Sequence, residues 1–212
     1  MPRSPFGLPA LYPIVEGKIM ASTAKNIATA RSQALAPARV ARVVLASAAL
    51  CVSAYLEVPL QPVPITMQVL ALDVIALALA PGEVAAAVGS YLVIGALGAP
   101  VFSGAMGGMA KLLGPTGGFI LGFVPSAVLA SWLCRRLDAT RLPRVLAMMV
   151  ALLVATAVLY LFGWVWLMVA AGLSPQAAFA GAVAPFVLVD TLKAVIAACA
   201  VSATSLLARP LR

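Results

Sequence analysis

Asp190 and Lys193 stand three residues apart in VLVDTLKAVIAA, residues 187–198, inside a long apolar run. A spacing of i, i+3 puts both on one helix face. A charge at the centre of a membrane helix costs about 2.5–3.5 kcal/mol on insertion scales. The pair is therefore either a self-neutralising lock on helix packing or a buried polar site. Ionisable residues inside membrane segments are functional by default, and the site reading is preferred here. Pro185 lies one turn earlier and is placed to bend the helix.

Other residues offer polar or flat surfaces. Thr66 and Gln68 stand where the proline-rich stretch PLQPVPIT ends, either capping the next helix or facing a ligand. Glycines 104, 107, 108, 114, 117 and 118 form either a flexible outer loop or a place where backbone approaches a ligand closely. In the second reading Thr116 and amides such as that of Gly108 supply donors, while Tyr91 and Phe102 stack on a flat or apolar ligand. GPTGG is no phosphate loop, because it lacks the G-K-[ST] ending and follows no strand. Asp73 lies in a short apolar run, with pairing to Lys193 or Lys111 and exposure to a cavity all open.

The chemistry excluded is equally definite. There is no His, and Cys51, Cys134 and Cys199 lie far apart in apolar stretches as small core residues. No disulfide framework, metal site or cofactor is expected. No nucleophile–base constellation suggests an enzyme, and no Walker motif supports ATP hydrolysis. The net charge of +8 sits between apolar runs, not on an aromatic-interleaved stripe, so nucleic acid is not an expected partner.

The elements that hold these residues must be membrane helices. Of 212 residues 64% are hydrophobic and 9% charged, against about 25% charged in soluble domains. Apolar runs fall at about 40–58, 67–80, 83–98, 117–134, 144–171 and 176–207. Residues 1–36, with four early prolines, read as a disordered or peripheral tail; Met20 is an alternative start, and 21–36 suits a short surface helix. Residues 37–212 then form one all-α integral membrane domain of six transmembrane helices. The clusters Arg31, Arg39 and Arg42, then Arg135, Arg136, Arg141 and Arg144, then Arg209 and Arg212 all fall on one side of six spans. By the positive-inside rule both termini are cytoplasmic, in the inner cell membrane. The proline and glycine loops share the outer face. Ala49 and Ser53 form a small-xxx-small pair on the first run, a candidate helix contact.

In order and spacing, VPITMQ (63–68), YLVIGALGAPVF (91–102), Gly107–Gly108, GPTGG (114–118) and DTLK (190–193) resemble the BioY family, the biotin-binding S components of energy-coupling-factor (ECF) transporters. The resemblance runs from about residue 40 to the end. It implies a six-helix bundle with its substrate site near the outer face, working with a transmembrane T subunit and two ATPases. It also implies that Asp190 and Lys193 contact biotin, with Thr66, Gln68, Tyr91, Phe102, Gly108 and Thr116 around it. Met67, Ala99 and Phe119 depart from the usual residues, and Asp73 stands where an apolar residue is usual. Biotin suits such a site: Asp190 can accept from its ureido N–H groups, and Lys193 can donate to the ureido oxygen or the carboxylate. The competing readings are an S component for thiamin or riboflavin, which D-x-x-K with GPTGG opposes, and an intramembrane enzyme, for which Asp190 with Asp73 is the one acidic pair proposed.

Overall fold

A computed structural model describes residues 37–207, with side chains through Thr204. The expectations for residues 1–36, and those resting on Arg209 and Arg212, lie outside the described residues. The chain divides into Met1–Ala41 and a compact unit, Arg42–Arg212, and all packing below belongs to the second.

The first helix, α1, covers residues 37–53. Two short antiparallel strands follow, β1 (Glu57–Val58) and β2 (Ile65–Thr66), with Glu57 opposite Thr66. They close the proline-rich loop, whose prolines cannot donate to a helix. The helices α2 (Gln68–Ala78), α3 (Pro81–Ala96), α4 (Met109–Leu113), α5 (Gly117–Leu137), α6 (Arg144–Ala171), α7 (Pro175–Ala182) and α8 (Val187–Leu207) complete the order.

Three segments are long and apolar enough to cross a bilayer: Gly117–Leu137, Arg144–Ala171 and Pro175–Thr204. At about 1.5 Å per residue the 28 residues of α6 exceed the roughly 30 Å hydrocarbon core. The 11 residues of α2 reach about half of it. Large apolar side chains cover the outside, Leu188 being 81% and Val169 78% exposed. In water such a surface aggregates; against lipid it is the expected outer face.

Local chemistry explains the breaks. Pro81 opens α3, and the Glu83 carboxylate accepts the Ala80 N–H at 3.2 Å while receiving the Arg42 guanidinium. The Ser131 hydroxyl donates to the Leu79 carbonyl at 2.7 Å, satisfying an acceptor that the α2–α3 turn leaves free. Ser174 caps α7 by accepting the Ala177 N–H, with Pro175 at its first position. The expected run 176–207 is not one helix: residues 183–186 form a turn around Pro185, which has no N–H to give the helix ladder.

Close packing of α5 on α6 rests on glycine. A Cβ at Gly118 would overlap Trp166, and one at Gly122 would press on Phe162 at 2.9 Å. In return the Phe119 ring fills the notch over Gly163. This reciprocal fit uses the small-xxx-small spacing that membrane helices favour, at Gly118 and Gly122. At the first-helix pair Ala49 is exposed and Ser53 buried, so those two do not share one open face. Cys134 is buried, Cys51 half-buried and Cys199 exposed, so Cys199 is not the core residue expected of it.

Candidate substrate-binding site

The turn at 183–186 places Asp190 in the first turn of α8. A carboxylate there is favoured by the positive end of the helix dipole. Asp190 Oδ1 accepts from Lys193 Nζ at 2.7 Å, and its Oδ2 accepts from the Tyr160 hydroxyl at 2.9 Å. Lys193 Nζ also donates to the Thr66 backbone carbonyl at 2.8 Å, tying α8 to β2. Both charged side chains are almost fully buried, 6% exposed for Lys193 and 2% for Asp190. A buried ion pair is seldom a net stabiliser. Its presence here therefore calls for a further purpose.

The pair faces a partly open cavity with about 480 Å³ of space between its atoms, open solvent included. Its apolar wall includes Phe119, Phe123, Leu159 and Phe186. Its polar lining is Thr66, Gln68, Ser103, Thr116, Tyr160, Asp190 and Lys193. The Thr116 hydroxyl is buried with no hydrogen-bond partner among the described residues, a cost that a ligand group can remove.

Six of the eight residues singled out from the sequence fall into clear roles around this cavity. Asp190, Lys193, Thr66, Gln68 and Thr116 line it together. Thr66 Oγ1 accepts the Gln68 N–H at 3.3 Å, so it serves the start of α2 as well. Gln68 Nε2 donates to the Tyr91 hydroxyl at 2.5 Å, which puts Tyr91 behind the lining, holding Gln68 in place. Phe102 does not line the cavity: it is fully buried edge-on against Tyr91, centroids 5.4 Å apart, with its ring over Gly95. Gly108 also lies off the lining. Its φ of 86° suits glycine, and its N–H donates to the Gly95 carbonyl at 2.7 Å.

Tyr160 is the residue the sequence reading missed. Its signal was a hydroxyl midway along an apolar run, which needs a partner at that depth. Ser103 and the phenylalanines carried no such mark.

Two loops cover the cavity. Trp166 Nε1 donates to the Gly114 carbonyl at 2.9 Å, fixing the glycine loop to α6. The Gly104 N–H donates to Glu57 at 3.1 Å, joining that loop to the strand pair. Between the loops a vestibule lined by Glu57, Pro62, Pro64, Lys111 and Thr116 shares Pro64 and Thr116 with the site below. Burial lowers the Lys111 ammonium from its ordinary range, while Glu57 pulls it back up. Arg135, Arg136 and Arg144 lie at the opposite ends of α5 and α6.

The helical fold matches one already solved. A crystal structure described as the S component for biotin from an ECF-type ABC transporter superposes with a TM-score of 0.75 over 81% of this chain and 92% of that one, at 21% identity, and so shares the fold. The family model described as the BioY family matches residues 23–209. The chain belongs to the BioY family. Relatives include biotin transporter BioY2 of Lactococcus lactis subsp. cremoris, 32% identical over 73% of this chain and 82% of that one. A probable biotin transporter BioY of Pyrococcus horikoshii is 39% identical over 68% and 81%.

Proposed function

We propose that this chain is the membrane substrate-binding subunit for biotin uptake, not an enzyme. The observation that carries the reading is the buried Lys193–Asp190 pair presented to a cavity in a member of this family, beside the unpartnered Thr116 hydroxyl. Biotin's ureido group has two donors and one acceptor, matched by a carboxylate and an ammonium side by side. Its ring and tail suit the phenylalanine wall, and its carboxylate points toward the vestibule.

In this reading residues 37–212 make six spans, with both termini in the cytoplasm of a cell whose inner membrane holds the chain. The site lies at the outer end, and Arg135, Arg136 and Arg144 lie at the inner end, consistent with the positive-inside rule. A T subunit and ATPases supply the energy, since the chain carries no nucleotide-binding motif of the Walker type. Competition binding tests the substrate: detergent-purified full chain holding radiolabelled biotin should lose it to excess cold biotin and keep it against excess thiamin or riboflavin. Displacement by thiamin or riboflavin with biotin ineffective would overturn the assignment.

A further inference from the structure

The vestibule above the substrate site holds a cation that the biotin reading leaves unused. Lys111, on α4, is half-buried, and among the described residues its ammonium has neither a hydrogen bond nor an ion pair. The sequence left Asp73 open as its partner, but among the described residues Asp73 makes no ion pair either. Glu57 is near enough to act on the ammonium, yet the two form no ion pair, and Glu57 accepts the Gly104 N–H instead. The other basic side chains described in the compact unit are committed or remote. Lys193 Nζ serves Asp190 and the Thr66 carbonyl. Arg42 is paired with Glu83, while Arg135, Arg136, Arg141 and Arg144 gather at the far ends of α5 and α6 and the turn between them.

Biotin brings a carboxylate as well as a ureido group. With its ureido group on Asp190 and Lys193, the carboxylate sits at the other end of a flexible alkyl tail. Pro64 and Thr116 line both the substrate site and the vestibule, so they mark the opening through which that tail passes. Lys111 stands on the segment leading to Thr116. The Gly114 N–H donates to the Lys111 carbonyl at 3.3 Å, and Trp166 holds the Gly114 carbonyl at 2.9 Å. The Lys111 backbone is thereby fixed near the opening, while its long flexible stem lets the ammonium reach a ligand. A half-buried cation without a partner gains from an arriving anion, because part of its burial cost is then offset.

We propose that Lys111 is the counter-ion of the substrate's carboxylate and makes the site select free biotin over neutral biotin esters and amides. Its role depends on the biotin reading above, because it acts on that ligand's tail. The vestibule has about 1200 Å³ of space between its atoms, open solvent included, which leaves room for a methyl ester. Size therefore does not separate acid from ester, and charge does. Glu57 opposes Lys111, since its carboxylate repels the ligand's.

Competition against radiolabelled biotin tests it, on the full-length, detergent-purified protein at neutral pH and low salt. The competitors are biotin, biotinamide and biotin methyl ester. A half-buried charged contact falls between a surface pair and a buried one, so biotin should bind about fivefold to tenfold more tightly than either neutral compound. Lys111→Met keeps the stem and drops the charge. Biotin should weaken by that factor in this variant, while the neutral compounds keep their wild-type affinity; Lys111→Arg should restore the preference. Glu57→Gln can still accept from Gly104, and it should tighten biotin without changing the neutral compounds. Added salt should narrow the wild-type preference. If Lys111→Met does not fold, Glu57→Gln and the salt series decide. Equal affinities in the wild type, a preference that survives Lys111→Met, or equal weakening of all the compounds would overturn the proposal. Binding of biotin without a charge preference sinks this role of Lys111 alone, whereas failure of radiolabelled biotin to bind at all sinks the biotin reading with it.

Discussion

Substituting the buried pair separates a binding role from a packing role. In Asp190→Asn the amide oxygen can still accept from Tyr160, and Lys193 keeps the Thr66 carbonyl, so two of the three contacts around the pair survive. What disappears is the charged acceptor, together with the 2.7 Å bond to Lys193. A hydrogen bond to a charged group is worth about 1.5–3 kcal/mol. Biotin should therefore bind about 10- to 150-fold more weakly. Lys193→Met removes both of the ammonium's contacts and leaves Asp190 with Tyr160 alone. Removing one partner of a buried pair costs about 3–5 kcal/mol. Part of that loss should appear as a lower unfolding midpoint than in Asp190→Asn, with affinity reduced by at least as much. The double variant Asp190→Asn/Lys193→Met should be less impaired than the sum of the two, since neither residue is then stranded. The assay is equilibrium binding of radiolabelled biotin to monodisperse, detergent-purified protein. Both single variants folding and binding with unchanged affinity would leave the pair as packing glue and not a contact to biotin.

Three other outcomes follow from the geometry. Tyr160→Phe should fold normally and bind biotin about tenfold more weakly by the same assay, since Asp190 loses one of its two donors. Gly95→Ala should destabilise the protein by about 1–3 kcal/mol, seen as a lower midpoint, because its methyl overlaps the Phe102 ring that anchors the glycine loop. In intact cells a cysteine at position 105 should react with an impermeant reagent from outside and one at position 140 should not; reversed labelling would invert the proposed topology.

Length and composition made the long helices readable. The expected run 144–171 coincides with α6, and the run expected from about 117 begins with α5 at Gly117. Asp190 and Lys193 stood out because a charge in an apolar run has few innocent explanations. Rotational phase was not readable in the same way. In a bundle surrounded by lipid, core and outer faces are equally apolar, so the period that orients a soluble helix is missing. Hence Tyr91 and Phe102, chosen as ligand-stacking rings, lie behind the site: Gly95 leaves a hollow that the Phe102 ring fills. The glycine notches at 118, 122 and 163 were hidden for a related reason. Each is meaningful only beside the aromatic ring that meets it on another helix. Asp73 was visible as an oddity, but its lack of a partner required knowing where Lys193 goes.

A structure of the full chain with biotin bound is the most direct test of the central claim. The ureido group should lie within hydrogen-bonding distance, about 3 Å, of both Asp190 and Lys193, with the ring against Phe119, Phe123 and Phe186 and the Thr116 hydroxyl partnered. Biotin seated only in the vestibule between Glu57 and Lys111, with the Lys193–Asp190 pair untouched beneath it, would show that the pair is not the binding site.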